Sequence, residues 1–543
     1  MLKSWLKKEL ADKFEGMDFG VLVPPDSNLG DYSTNLAFAL AKKHKKNPAE
    51  VGKNLIEELS NNANLLAKFS RIEFVGPGFI NFSIKQEFLH ETINQILKEK
   101  DGFGDLKIGE DPSTDSTGSP QAGSGQAINL EFVSANPTGP PTVHNSRAAA
   151  FGDTLGNILE KAGYEVTKEY YINDVGVQVG KLAESIKLRM KELKGEKVEF
   201  SADLYKGEYI KDMAKEFIEK SVPEKNIQTE AIKAMVIKLK EGLGSLGVVF
   251  DEWFSESMLH ENSEVKSVFE ELESKGFVIE EDGAKWLKIG EDQKAVLIKS
   301  NGSATYLMND VAYTRNKFKR GFDKAINIWG ADHHGDVPRL KAGVAALGYD
   351  SSKLTILLHQ LVTLKQKDQK LKMSKRAGNL VLLEDLIRDV GKDAVRFFFL
   401  TKDLNTHMEF DVELAKEQSK KNPVYYIQYA FARLNSIFQK AGAGQDTERA
   451  DLGKLNSEEE KLLMRTLVKF PDIIESIAAD YQVHHLGNYA LELANKFHHF
   501  YEKHRVIGDD KELEKSRLAL SQAIHIILKN SLELMGISTP ERM

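Results

Sequence analysis

The strongest constraint on the fold lies in residues 128–163, which read as a strand, a Pro/Gly loop and a helix in immediate succession. Ile128 to Val133 is short and apolar, as a buried parallel strand is. The run stops at Ser134 to Pro141, where Asn136, Pro137, Gly139 and Pro140 end regular structure and let backbone amides turn toward a ligand. A helix is expected to begin near Asn145, with Phe151, Leu155, Ile158 and Ala162 at helical spacing and Gly163 placed to close it. Such a turn aims unpaired N–H groups and the positive end of a helix dipole at one point, which suits a phosphate. The same turn occurs in parallel α/β folds that bind nothing, so on its own it gives the fold class and only suggests a nucleotide site.

A chain of 543 residues exceeds one core, and the sequence divides it. Residues 1–107 read as a small α/β domain. Helical patterns occupy the first fourteen residues, Tyr32 to Lys43, Pro48 to Leu59 and Gln86 to Lys98, with strands at Arg71 to Val75 and Phe79 to Ile84. Asn47 before Pro48 is an N-cap signal. Residues 108–127 are rich in Ser, Thr, Gly, Pro, Gln and Ala, and 110–127 hold no large apolar side chain, so a flexible linker is expected. Residues 128–413 are expected to form a doubly wound, Rossmann-like parallel sheet with an insertion over about 177–300, helical and lysine/glutamate-rich at first. Short β segments with turns at Asp282-Gly283, Glu291-Asp292 and Asn301-Gly302 follow over Phe277 to Leu307. Ala325 to Trp329 is a second buried strand, ending in the loop Gly330 to Gly335, and ligands of open α/β sheets collect at such strand ends. Residues 414–543 read as all-α, opening with Asn422 as cap before Pro423 and continuing through Glu459 to Asp480, Val483 to His504 and Lys511 to Leu534.

A second segment, Leu364 to Asn379, carries Lys365, Lys367, Lys370, Lys372, Lys375 and Arg376 against one acid, Asp368. So basic a loop beside a sheet edge invites a triphosphate. The whole chain carries a net charge of −7, so any contact with RNA must come from local basic patches and not from a global field. No apolar run approaches the roughly 20 residues needed to span a bilayer. The N-terminal amphipathic pattern has acids and no Arg, which argues against a transit peptide. The absence of cysteine excludes disulfides and thiolate metal sites. Adjacent His333-His334 chelate poorly, and His484-His485 and His498-His499 lie on expected helices, so no structural metal is assigned.

The two segments together resemble the signatures of class I aminoacyl-tRNA synthetases, and Asn136-Pro137-Thr138-Gly139-Pro140 resembles the lead-in of the arginyl-tRNA synthetase form. That loop, Ala135 to Asn145, then departs from the family's His-x-Gly-His. After Pro141, Thr142 stands at the first His, Val143 at the next position, His144 at the Gly and Asn145 at the second His. Lys372-Met373-Ser374-Lys375, followed by Arg376, matches the second signature without departure. The resemblance implies a catalytic group of Thr142, His144, Asn145, Lys372 and Lys375. It also implies an arginine site in which Glu131, Tyr306 and Asp310 hold the side chain, Asn136 the carboxylate, and His333 lies near the backbone groups. Asn309 replaces the usual Arg before Asp310, which puts one local ion pair in doubt. The N-terminal 107 residues resemble the family's additional tRNA-binding domain, with Lys42, Lys43, Lys45 and Lys46 facing phosphates. The NPVYYIQYAFARL stretch resembles the opening of its anticodon-binding domain, with Tyr425, Tyr426 and Tyr429 available to stack on bases.

What the resemblance implies is an arginine–tRNA ligase, a cytoplasmic monomer acting on L-arginine, tRNA(Arg) and ATP, with Mg2+ arriving on the ATP and no membrane partner. An alternative from another class is a non-catalytic tRNA- or arginine-binding paralogue that lost its signature histidines. A class I synthetase for another amino acid is disfavoured by Glu131, Tyr306 and Asp310.

Overall fold

The computed structural model describes the chain except residues 25, 27–28, 111–124, 291–292, 367–368, 372–380 and 443–449. Its first region opens with α1 (Leu2–Lys13), which buries Leu2, Leu6 and Leu10. A four-stranded antiparallel sheet follows, β1 (Val21–Leu22), β2 (Tyr32–Thr34), β3 (Phe69–Val75) and β4 (Phe79–Ile84), in the order β1-β2-β4-β3. Around it lie α2 (Leu36–His44), α3 (Pro48–Leu59), α4 (Ala63–Lys68) and α5 (Gln86–Glu99). The helix expected from Tyr32 therefore starts four residues late. Tyr32–Thr34 pair with β4, and the aromatic and two hydroxyl residues suit a strand better than a first helical turn. Asn47 caps α3 as expected, its side chain accepting from Ala49 N.

The central sheet is parallel throughout and runs in the order β12-β11-β5-β6-β7: β5 (Ala127–Glu131), β6 (Glu165–Ile172), β7 (Glu252–Ser255), β11 (Lys324–Gly330) and β12 (Leu354–His359). Both faces are covered, as parallel sheets require. Ile326 and Ile328 of β11 enter the core shared with α6 (Val143–Lys161), and Ala325 enters a second core with α11 (Glu264–Ser274), α12 (Tyr306–Lys319) and α13 (Val337–Ala346). Strand order reverses between β5 and β11, so the loops leaving these two neighbours diverge and leave a crevice.

Helix α6 is buried along nearly its whole length and approaches the sheet closely at Gly152, where a Cβ would come within 2.3 Å of the Phe132 ring. Only glycine fits there. Gly163 follows the helix with φ +94° and donates to Glu160 O, closing it as expected. Between β6 and β7 the helices α7 (Val177–Leu193), α8 (Glu208–Glu219) and α9 (Ile227–Ser245) share a separate core. Helix α10 (Glu256–Glu261) follows β7, and after α11 comes a small antiparallel sheet of β8 (Val278–Glu281), β9 (Ala284–Lys288) and β10 (Lys294–Ile298). Its β8–β9 turn is Asp282-Gly283, both at positive φ as expected of a tight hairpin, whereas Glu291-Asp292 lie outside the described residues.

Beyond β12, strands β13 (Val362–Gln366) and β14 (Gln369–Leu371) form a hairpin, and β13 also pairs with β15 (Met408–Asp411). Helices α14 (Leu383–Val390) and α15 (Lys392–Leu400) lie between them, and α16 (Val412–Lys416) follows β15. The chain ends in α17 (Pro423–Ala441), α18 (Glu458–Val468), α19 (Phe470–Asp480), α20 (His484–Lys503) and α21 (Lys511–Leu534). Glu459 to Asp480 forms two helices and not one continuous pattern, because Pro471 opens a new first turn after Lys469. The first region docks on this bundle: Tyr32 Oη donates to Asp472 Oδ2 at 2.6 Å, and α5 packs on α18 and α21. Most of the expected linker, residues 111–124, lies outside the described residues. Its flanks meet in a bridge between Glu110 and Gly125.

Candidate active site

The loop after β5 is held by contacts that its sequence alone does not reveal. Val133 and Ser134 both take positive φ, 70° and 38°, and Ser134 Oγ accepts from Tyr171 N at 3.1 Å. Tyr170 Oη donates to Ala135 O at 2.9 Å, and Tyr209 Oη to Thr138 O at 2.8 Å. Pro137, Thr138 and Pro141 are buried, and Asn136, Gly139 and Pro140 are half-buried.

The helix begins earlier than expected, at Val143 with Thr142 as its cap. Thr142 N and Thr142 Oγ1 both donate to Asn145 Oδ1, at 3.0 and 2.9 Å, and Thr142 is almost fully buried. The threonine hydroxyl is thus engaged within the first turn, and Asn145 offers its Nδ2 as the remaining side-chain donor. His144, at the second helical position, is half-buried and lies within electrostatic reach of His359 at the end of β12. Burial and the nearby Arg147 charge push His359 down to about 4, so it is neutral at pH 7.

Arg147 secures this turn to the rest of the site. Fully buried, it donates to the carbonyls of Gln360 (3.1 Å), Asp403 (2.8 Å) and Thr406 (2.8 Å), and burial lowers its pKa to about 10. Those carbonyls lie just before β13 and β15. Lys372, Met373, Ser374, Lys375 and Arg376 lie outside the described residues, but the chain on either side of them is placed. Leu371 pairs with Leu364, and Leu383 N donates to Pro141 O at 3.0 Å while Val143 N donates to Val381 O at 3.4 Å. The chain that resumes at Val381 therefore lies against the N-terminus of α6.

Across the crevice, Glu131 ends β5 opposite Asn327 of β11. Its carboxylate is 4% exposed and accepts from Lys317 Nζ at 2.6 Å; the same ammonium reaches Asn327 Oδ1 at 2.9 Å and is itself fully buried. Lys317 lies two helical turns after Asp310 on one face of α12, a spacing readable from sequence that went unused. Asp310 is half-buried, and burial together with the charges of Glu131, Glu256 and Asp336 holds its pKa well above the ordinary carboxylate range. Tyr306, one turn before Asp310 at the start of α12, is 67% exposed. His333 is also exposed, 3.4 Å from Asp336 Oδ2. A donor-only cation fits a pocket with this excess of acceptors, and anions fit the helix N-terminus beside it.

Farther out, Lys42, Lys43, Lys45 and Lys46 are exposed at the end of α2. Tyr425 and Tyr429 on α17 stand 6.5 Å apart with nearly parallel rings, and the Arg433 guanidinium lies 4.6 Å from the Tyr429 ring centre. Tyr426 instead packs on His498 at 4.3 Å. Among the described residues no helix is long and apolar enough to cross a membrane.

Three stretches of the chain match known families: residues 1–84 the arginyl tRNA synthetase N terminal domain, 113–411 the catalytic domain of class I (R) tRNA synthetases, and 427–543 the DALR anticodon binding domain. The chain is 42% identical to the arginine–tRNA ligase of Carboxydothermus hydrogenoformans over 99% of its own length and 96% of that protein's. It is 40% identical to that of Bacillus subtilis, over 99% and 97%. Its fold resembles that of Thermus thermophilus arginyl-tRNA synthetase with a TM-score of 0.78 at 22% identity, covering all of both chains.

Proposed function

The chain belongs to the arginine–tRNA ligases of the class I aminoacyl-tRNA synthetase family, and on that premise we propose how its own residues carry the ATP-dependent joining of L-arginine to tRNA(Arg). Arginine's guanidinium sits against Asp310, with Glu131 at the floor, Tyr306 folding over it, and Asn136 and His333 near the carboxylate and amine. ATP lies over Ala135 to Asn145 with its phosphates toward the N-terminus of α6. An oxygen of the arginine carboxylate attacks the α-phosphorus in line. The bond from that phosphorus to the bridging oxygen breaks, and pyrophosphate leaves. The 2′-hydroxyl of the terminal adenosine then attacks the arginyl carbonyl, forming the ester and releasing AMP.

Neither step needs a covalent bond to protein, so positioning and charge carry the rate. Lys372 and Lys375 meet charge on the departing pyrophosphate, and Mg2+ accompanies the ATP as part of the substrate. The protein acts as a cytoplasmic monomer. Residues 1–107 and 414–543 take the two ends of the tRNA contact, through the lysines of α2 and the half-buried Tyr425 and Tyr429.

The observation that supports the reading is the tie between Val381–Leu383 and Pro141–Val143, which sets the chain that follows the second signature segment against the helix end that follows the first, beside the strand-order reversal. The test compares Asn145→Ala, Thr142→Ala and His144→Gly in arginine-dependent ATP–pyrophosphate exchange with tRNA present. Asn145→Ala is expected to be the slowest. Thr142→Ala loses a cap and about 0.5–2 kcal/mol of stability, and His144→Gly is tolerated. Wild-type rates in all three would remove this loop from the phosphate site.

A further inference from the structure

Carboxylates from three elements converge beside the crevice: Glu131 on β5, Asp310 on α12 and Glu256 at the start of α10. Only Glu131 has a Lys or Arg ion-pair partner among the described residues. Glu256 is 3% exposed, and Asn309 Nδ2 donates to its Oε1 at 2.5 Å. With the Asn173 carboxamide oriented to satisfy its neighbours, its nitrogen lies 3.3 Å from Glu256 Oε2. Asn309 is 7% exposed, and its Oδ1 is buried without a hydrogen-bond partner. A buried carboxylate lacking a cation, next to an orphaned amide oxygen, is a costly arrangement unless a donor arrives.

The groups around Glu256 offer no strong cation. From β6 and the loop after it come Tyr171 and Asp174, the latter accepting from Ser257. From α12 come Asn309 and, on its neighbouring residue, Asp310. Its own helix supplies His260, whose Nε2 is 3.9 Å away. Helix α11 directs Glu264 to Asn316 and Glu271 to Arg315. Lys317 is spent on Glu131 and Asn327.

We propose that Glu256 and Asn309 form a second wall of the arginine site, the Glu256 carboxylate and Asn309 Oδ1 taking guanidinium N–H groups opposite Asp310 while Glu131 remains committed to Lys317. This deepens, and rests on, the arginine-ligase reading. A guanidinium carries five donors and no acceptor, so it can give Asn309 Oδ1 the donor it lacks and the hydrogen-bonded Glu256 carboxylate the cation it lacks. Burial, with Asp174's charge adding to it, raises Glu256 to about 7. A cation binds the ionised form, so arginine binding expels a proton below that pH. Affinity therefore climbs as pH rises toward 7 and levels off above it.

The test is calorimetric titration of the full-length protein with L-arginine from pH 6 to 8, in two buffers of different ionisation enthalpy to count protons released. The wild type is expected to release a proton near pH 6.5 and to bind more tightly as pH rises to 7. Glu256→Gln keeps the shape but loses a charge-assisted bond. It is expected to weaken arginine binding at pH 8 about 10-fold or more, to lower the proton release below that of the wild type, Asp310 supplying the remainder, and to leave the uncharged isostere L-citrulline unaffected. Asn309→Ala, a second variant independent of the carboxylate, is expected to weaken arginine binding while keeping the proton release. An unchanged arginine Kd or an unchanged proton count in Glu256→Gln overturns the proposal, as does wild-type affinity in Asn309→Ala. Absence of arginine binding by the folded wild type would instead overturn the ligase reading itself.

Discussion

Replacing Lys317 by Met isolates the ion pair beneath the arginine pocket. Methionine approximates the length and volume of the lysine stem, so packing against Tyr313, whose ring centre lies 4.4 Å from Nζ, is largely kept. What is lost is the 2.6 Å contact to Glu131 and the 2.9 Å contact to Asn327, both inside the sheet–helix interface. Glu131 is then left buried and charged with no cation. Breaking a buried pair in this way typically costs about 3–5 kcal/mol, whereas removing both charges is often close to neutral. Lys317→Met is therefore expected to destabilise the central region by that amount, and adding Glu131→Gln should recover most of it. Urea unfolding followed by tryptophan fluorescence reads the region, since Trp253, Trp286 and Trp329 all lie in it and only Trp5 lies outside. A single-variant cost below about 1 kcal/mol, or a double variant as unstable as the sum of the singles, would refute the reasoning.

Lys372→Ala and Lys375→Ala should each slow adenylate formation on the order of 100-fold to 1000-fold with little change in arginine binding, read by pre-steady-state activation. Arg396, fully buried, donates to Asp153 Oδ2 and Met535 O, both at 2.6 Å, and to Leu246 O at 3.1 Å. Arg396→Met should cost about 3–5 kcal/mol and speed hydrogen exchange at the end of α21, which exchange mass spectrometry would show. Replacing residues 112–124 by a short Gly/Ser turn should leave melting temperature and arginine activation nearly unchanged, because the flanking Glu110–Gly125 bridge already joins the ends.

The parts of the fold that were legible in sequence are those in which local chemistry and tertiary packing agree. Asn47-Pro48 and Asn422-Pro423 cap α3 and α17 because an Asx side chain followed by proline satisfies a first turn without outside help. The parallel strands β5 and β11 were legible as short apolar runs ending in Gly/Pro or Gly/His loops, whereas their order in the sheet was not read. Tyr32 to Lys43 was misread as one helix because Leu36 onward has helical spacing, while β4, which recruits Tyr32–Thr34, lies some fifty residues later. The site was legible as residue types and less so as partnerships. Asp310 and Glu131 were found, but the cation that claims Glu131 is 186 positions away in sequence, and Glu256 reaches Asn309 across 53. Thr142 was expected in the catalytic group; its hydroxyl donates to Asn145 Oδ1 within a capping box, a local hydrogen bond that the Thr-x-x-Asn spacing itself encodes.

The most direct test of the central claim is transfer of label from pyrophosphate into ATP by the purified protein, with L-arginine supplied in the presence and absence of tRNA(Arg). The account predicts exchange that requires arginine, appears fully only with tRNA, and is not supported by citrulline or lysine. A folded protein that binds arginine and tRNA yet catalyses no arginine-dependent exchange under any of these conditions would contradict it.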